Sequence, residues 1–253
     1  MTEKVLYAEL TPREFRDRLG AAPIAYLPLG TLEWHGEHLP LGSDGFISEG
    51  FFVRLAQRVG GIVLPMLFLG PCRVELAPDG GELYGMDVLV AEKGYGDYPK
   101  QQLPGSAYWV SEDTFSLLLE AALKQLARAG FRIVVAHGHG PSTVLFDRNR
   151  ARYRQQFGLD CYQVWEPGDG EGPHRDLGIQ TDHAGANETS LVMALRPELV
   201  AMGNLAKDRW PMAVRGKDPR IHASAQRGEQ ALLRQLERMS AVLRKALAEL
   251  GPR

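Results

Sequence analysis

The sequence predicts one α/β domain over residues 1–253, with a largely parallel central sheet flanked by helices on both faces. Three observations lead there. Short apolar runs at Ala22 to Leu29, Ile62 to Leu69 and Phe131 to Ala136 read as buried strands. Stretches with apolar residues at helical spacing lie between and after them, and strands that alternate with helices build parallel sheets covered on both sides. The length, 253 residues, suits one sizeable core.

Taken in order, Thr11 opens TPREFRDRL, a short helix with Thr as N-cap and Glu14 three residues on, and Gly20 ends it. Ala22 to Leu29 is the first strand, and Gly30 closes it. Ile47 to Val59 carries Phe51, Phe52, Leu55, Ala56 and Val59 on one helical face and stops at Gly60-Gly61. Pro65 within Ile62 to Leu69 assigns that run to an edge or a strand end. Residues 70–110 are rich in Gly, Pro and aromatics and too long for an ordinary connection, which predicts an extended lid or partner surface. A long amphipathic helix follows from Glu112 to Ala129, and then the strand Phe131 to Ala136. Val144 to Phe157 reads as a basic helix with a solvated face, Cys161 to Trp165 as a strand, and Glu229 to Leu250 as a long terminal helix.

Composition excludes several classes. The chain is 44% hydrophobic and 24% charged with a net charge of −2 and no basic block, so no nucleic-acid footprint is expected. No run approaches the roughly 18 apolar residues of a membrane span, and MTEKVLYAEL lacks the apolar core of a signal peptide, which predicts a soluble cytoplasmic protein with no membrane partner. Two cysteines, Cys72 and Cys161, are too few for a disulfide framework and read as packed thiols.

The chemistry concentrates in three segments. PLGTLEWHGEHLPLGSD, residues 28–44, delivers Glu33, His35, Glu37, His38 and Asp44 just after the first strand. Such a loop is often a solvated surface, but here the acids and histidines are interleaved with Leu32, Trp34, Leu39 and Leu41. His137-Gly138-His139-Gly140-Pro141-Ser142 follows the strand at 131–136 in the same way. Thr181 to Ser190, TDHAGANETS, supplies Asp182, His183 and Glu188 ahead of a helix. Strands of a parallel sheet end along one edge, so these segments can meet there. Carboxylates with imidazoles suit zinc, manganese or iron. A carboxylate bridging two ions about 3.5–4 Å apart would generate an acidified, aimed water.

These three motifs resemble those of the creatininase family of metal-dependent amidohydrolases, which also contains a formylaminopyrimidine deformylase and a mycofactocin-maturation peptidase. PLGTLEWHGEHLPLGSD is similar to its PxGSxEQHGPHLPxxxD, AHGHGPS to its NGHGGN, and TDHAGANETS to its DxHAGxxETS. LPGS at 103–106 and GKDPRIHASAQRGE at 216–229 are weaker matches in the same order. The resemblance implies that Glu33, His35, Asp44 and His139 are metal ligands with Asp44 as the bridge, that His183 is the catalytic histidine, and that Glu188 joins or lines the site. It implies two divalent ions per subunit and a homohexamer. His38 falls on a position that is not a ligand in the family, and His174 and His222 are left as surface or substrate-side residues.

The departures are specific. His137 replaces an Asn. Pro141 stands where creatininase carries a second-metal Glu, which leaves Glu188, His137 or water to complete that site. The motif's Asp is Thr181 here, with Asp182 beside it to orient His183 or to cap the following helix. Trp34, His137 and Ser142 replace motif residues and are expected on the substrate side. The expected activity is hydrolysis of a carbon–nitrogen bond in a cyclic or small amide by a metal-bound hydroxide. The alternatives are a peptidase or formamide deformylase of the same family, or a catalytically silent metal-binding relative.

Overall fold

In a computed structural model the structure describes residues 3–88, 101, 108–165 and 177–251. The centre of the domain is a four-stranded, all-parallel sheet in the order β2-β1-β7-β8, where β1 is Ile24–Leu29, β2 Ile62–Val63, β7 Ile133–Gly138 and β8 Asp160–Gln163. Two small pairs lie outside it: β3 (Gly70–Pro71) with β6 (Trp109–Val110), and β4 (Val74–Leu76) with β5 (Glu82–Tyr84). The helices are α1 (Pro12–Ala21), α2 (Ser43–Val59), α3 (Glu112–Ala129), α4 (Gly140–Arg148), α5 (Arg150–Phe157), α6 (Ala186–Leu195), α7 (Pro219–His222) and α8 (Ala225–Glu249). Among the described residues no helix is long and apolar enough to cross a membrane.

All residues of β1 and β7 are buried, as expected of strands covered on both faces. Successive side chains leave on opposite faces. Ile24, Tyr26, Ile133 and Val135 pack with Phe51, Phe52 and Leu55 of α2, Leu191 of α6, and Met239 and Leu243 of α8. Ala25, Leu27, Val134 and Ala136 pack on the other side with Phe115, Leu119 and Leu123 of α3 and with Phe146 and Tyr153. The single domain therefore has two apolar layers around one sheet.

The element boundaries shift for identifiable reasons. The N-terminal capping box is present: the Thr11 hydroxyl accepts from the Glu14 N–H, and Glu14 accepts from the Thr11 N–H at 2.7 Å. β2 is shorter than the run Ile62 to Leu69, because Pro65 has no N–H to offer its neighbour; the chain rejoins β1 only at Leu67, whose N–H donates to the Pro28 carbonyl. α2 starts at Ser43, four residues ahead of Ile47, so Asp44 belongs to its first turn and not to the loop. The basic stretch is two helices broken at Asn149, and the first begins at Gly140 with Pro141 near its start, where a missing N–H costs nothing.

Strand order positions the site. From β1 the chain goes to β2 on one side, while β7 and β8 lie on the other. The switch falls between β1 and β7, whose carboxyl ends pair as Leu29 with Gly138. Ligands of open α/β sheets sit at such a point. Gly138 has φ 151°, and a Cβ there would lie 1.6 Å from the Leu29 carbonyl oxygen. Gly138→Ala is therefore expected to lose about 3 kcal/mol or more of stability, measured by urea unfolding, because strand β1 must move to admit one methyl. A variant with unchanged unfolding would show that the two strands separate here without cost.

Candidate metal centre

The loop after β1 folds tightly, with the Glu33 N–H donating to the Leu41 carbonyl at 3.1 Å and the Ser43 N–H to the Pro40 carbonyl at 3.1 Å. This brings Glu33 and His35 inward and hands the chain to α2, whose first turn presents Asp44. At the end of β7 the His139 N–H donates to the Leu29 carbonyl at 2.6 Å. The third segment is held by α6. The Asp182 carboxylate accepts from the N–H groups of Asn187 at 2.8 Å and Glu188 at 3.1 Å, and Glu188 Oε2 accepts from the Ala184 N–H at 2.6 Å.

Glu33, His35, Asp44, His139 and Glu188 are all buried and converge. Asp44 is split between two partners: Oδ1 lies 3.3 Å from His35 Nε2, and Oδ2 lies 3.1 Å from His139 Nδ1. Glu33 Oε1 is 3.1 Å from His139 Nδ1, and Glu188 Oε2 is 3.8 Å from His35 Nε2. Two sets of donor atoms result, Glu33–Asp44–His139 and His35–Asp44–Glu188, with each set's atoms within 4.8 Å of one another. His183 falls in a third such group with Glu33 and His35.

The electrostatics fit a cation. Among the described residues the ion pairs of Glu33, Asp44 and Glu188 are with histidines only, so no Lys or Arg neutralises three buried carboxylates. Burial disfavours charge on His35 and His139, yet the carboxylates around them push both pKa values up to about 10. Burial holds the Glu188 carboxyl well above its usual range, against the pull of His35. Burial also opposes ionisation of Asp44, but His35 and His139 hold it well below the ordinary value. A concentration of acid that recruits two imidazolium protons as counter-charge is suited to divalent metal instead.

His183 stacks on His35 with ring centroids 4.6 Å apart and meets the edge of Trp34 at 5.6 Å. Its Nε2 has no hydrogen-bond partner among the described residues. Burial, and the charge of neighbouring His35, lower its pKa to about 4. The ring is thus neutral at pH 7 and faces a cavity of about 590 Å³ that contains Glu33, Asp44, His139 and Glu188.

The remaining candidates divide, and the substrate-side placement of Trp34, His137 and Ser142 is corrected. Asp182 borders the cavity, and its oxygens cap α6 as one of its two expected roles, which positions Glu188. Trp34, His137 and Ser142 do not form the cavity wall. Trp34 is buried with Met86 and Ala213 behind His183. His137 lies inside β7 against Trp165, with burial lowering its pKa to about 3. Ser142 is tucked against Gly70. His38 is structural, 2.8 Å from the Thr189 hydroxyl. His222 is exposed on α7, and His174 lies outside the described residues. Burial pushes the Cys72 and Cys161 thiols up to about 12, so neither is an activated nucleophile.

Three residues escaped sequence reasoning. Gln180 donates to Asp44 Oδ1 at 2.7 Å while its own carbonyl accepts from Ser48 at 3.1 Å, which fixes the carboxylate's orientation. Trp165 and Arg215 contribute to the wall. Gln180 adjoins the third motif and Arg215 the GKDP segment, the only sequence signals that could have pointed to them. Of the predicted lid, Pro71, Cys72, Arg73, Gly85 and Met86 border the cavity, while 89–100 and 102–107 lie outside the described residues.

The family match places the chain among hydrolases of amide carbon–nitrogen bonds. The chain belongs to the creatininase family: the family's model, described as creatinine amidohydrolase, matches residues 8–243. It is 27% identical over 217 residues to the creatinine amidohydrolase of Pseudomonas putida, covering 79% of this chain and 75% of that protein. It is 27% identical over 207 residues to the mycofactocin precursor peptide peptidase of Mycobacterium tuberculosis, covering 82% and 70%. A crystal structure of a creatinine amidohydrolase superimposes with a TM-score of 0.74 at 21% identity over 98% of this chain and 100% of that one. A manganese form of creatininase superimposes at 0.70 with 22% identity over 96% and 99%. The expected fold class and family are borne out.

The assignment of Asp182 to a cap is measurable. Asp182→Ala is expected to lose about 0.5–2 kcal/mol in urea unfolding, the range for a lost helix cap. Unchanged stability together with a large loss of kcat would instead put Asp182 in the proton path.

Proposed function

We propose that the chain hydrolyses a small or cyclic amide with two divalent cations, one held by Glu33, Asp44 and His139 and the other by His35, Asp44 and Glu188. The observation that carries this is the split of Asp44, whose two oxygens address two different histidines, with a further buried carboxylate completing each set. Glu188 stands in for the acid that Pro141 cannot provide. Zinc, manganese and iron all accept this mixture of oxygen and nitrogen donors. Relatives described as manganese and Zn-Zn types of creatininase support the first two. When bound, the ions supply Lewis acidity, which acidifies water and polarises a carbonyl oxygen.

The chain's own side chains supply the remainder. His183, neutral and with a free Nε2, accepts the proton of the attacking water and returns it to the leaving nitrogen. His35 against its face and Trp34 against its edge keep the ring in one plane. Gln180 and the α6 cap hold two of the carboxylates in place. A cavity of about 590 Å³ matches a small-molecule ligand more closely than a long peptide. The similarity to the mycofactocin precursor peptide peptidase favours, as a second reading, cleavage near a peptide end by the same residues. Assembly as a homohexamer and residence in the cytoplasm complete the proposal.

Two measurements test it. Asp44→Ala is expected to lose more metal than Glu33→Ala, His35→Ala, His139→Ala or Glu188→Ala, read by elemental analysis of protein purified without chelator. Full two-metal occupancy in Asp44→Ala excludes the bridge. His183→Ala is expected to keep its metals and fold and to lose about 10²–10⁴-fold in kcat with little change in KM. Loss of metal in that variant would make His183 a ligand, and near-normal kcat on a substrate with a poor leaving group would assign proton transfer elsewhere.

A further inference from the structure

The cavity contains one feature that amide hydrolysis by these residues does not use. Arg215 reaches its wall, half-buried, and among the described residues no carboxylate pairs with it. The other arginine bordering the cavity, Arg73, is paired with Glu75 at 2.6 Å. The position of Arg215 is fixed by backbone: its N–H donates to the His183 carbonyl at 2.8 Å, and the His183 N–H donates to its carbonyl at 3.0 Å. Residues paired in this way across two antiparallel segments stand side by side with side chains on one face. The Arg215 side chain thereby leaves the backbone on the same face as the His183 imidazole, and both reach the cavity.

We propose that Arg215 is a specificity residue that binds a carboxylate carried by the amine half of the substrate. The preferred substrates are then amides whose hydrolysis releases an amino acid, either N-acyl amino acids or lactams bearing a carboxylate beside the ring nitrogen. This rests on the reading of His183 as the group that protonates the leaving nitrogen. The geometry makes the link: a group next to His183 meets what is bonded to that nitrogen, not what is bonded to the carbonyl carbon. A guanidinium suits this task, since its planar fork matches the two oxygens of a carboxylate. The acids that line the cavity have other partners: Glu33, Asp44 and Glu188 are paired with histidines, Asp182 accepts from the Asn187 and Glu188 N–H groups, and Glu112 is paired with Arg148. The apolar wall contributed by Pro141, Val144 and Trp165 suits an apolar remainder. A neutral cyclic amide such as creatinine offers Arg215 nothing to bind.

The test separates recognition from chemistry. Binding of N-acetylglycine and of N-acetylglycinamide, in which a neutral carboxamide of similar size replaces the carboxylate, is measured by calorimetry on zinc-loaded wild type and on Arg215→Gln. Wild type is expected to prefer the acid, and Arg215→Gln to bind it about 10- to 100-fold more weakly while the amide is unaffected, the size of one charge-assisted contact. Equal binding of the acid by both proteins, or no preference for the acid in wild type, overturns the proposal. Metal content is compared in the same samples, so that a loss of zinc is not taken for a loss of recognition. Turnover of the N-acetyl pair and of a lactam pair, pyroglutamate and its amide, is then followed. Preferential binding of the acid without hydrolysis of any amide would leave the anion site standing and overturn the catalytic reading, whereas hydrolysis that is indifferent to the charge would do the reverse.

Discussion

The site depends on how closely β1 and β7 approach at their carboxyl ends. Leu29 and Gly138 are register partners, and the missing Cβ at Gly138 is what allows the Leu29 carbonyl to reach the His139 N–H at 2.6 Å. Because of that contact the segment leaving β1 and the segment leaving β7 start side by side. Glu33, His35 and Asp44 come from the first and His139 from the second, across a sequence separation of roughly a hundred residues. A wider gap would leave His139 out of reach of both Glu33 and Asp44, each now 3.1 Å from its Nδ1. Strand pairing, which is a property of the core, therefore sets donor distances in the site.

Burying three carboxylates together needs more than histidine partners. The helices provide part of the answer. Asp44 lies in the first turn of α2 and Glu188 in the first turn of α6, and a helix N-terminus carries partial positive charge and unpaired N–H groups. Asp182 takes the N–H groups of Asn187 and Glu188, so the start of α6 is anchored even while Glu188 faces inward. α4 also starts here, directly after His139. Three helices thus begin at the same sheet edge and direct their positive ends toward one concentration of acid.

The parts of this architecture visible in the sequence are those written as local pattern. Apolar runs ending in glycine located β1 and β7, and the three motifs located every residue of the two donor sets. What stayed hidden depends on partners far along the chain. Gln180 orients Asp44 from 136 positions away, and its place beside the third motif gives no hint of that partner. The motif positions of Trp34, His137 and Ser142 point to the substrate, but packing directs all three into the interior. Asp44 was read as a loop residue since glycines and a proline surround it, yet Ser43 and Asp44 are good first-turn residues and the helix starts there. A motif identifies which residues matter; the direction of each side chain is settled by packing.

Pro141 lies at the start of α4, where a proline breaks no helix hydrogen bond, so the backbone that presents His139 is undisturbed and no acid is offered from this position. The carboxylate nearest His35, apart from Asp44, then belongs to α6 as Glu188. The short stretch from Gln180 to Glu188 holds the group that orients Asp44, the histidine proposed to transfer the proton, the cap at Asp182 and a carboxylate of the second donor group, with Arg215 hydrogen-bonded to its backbone. Residues that share one backbone segment and one hydrogen-bond network do not behave independently. Perturbing any of them shifts donor geometry, the His183 ring and the neighbouring guanidinium together, so pairs of substitutions within 180–188 are coupled, as are pairs drawn from the β1 and β7 loops, which meet through the Leu29–His139 hydrogen bond and through the donor atoms.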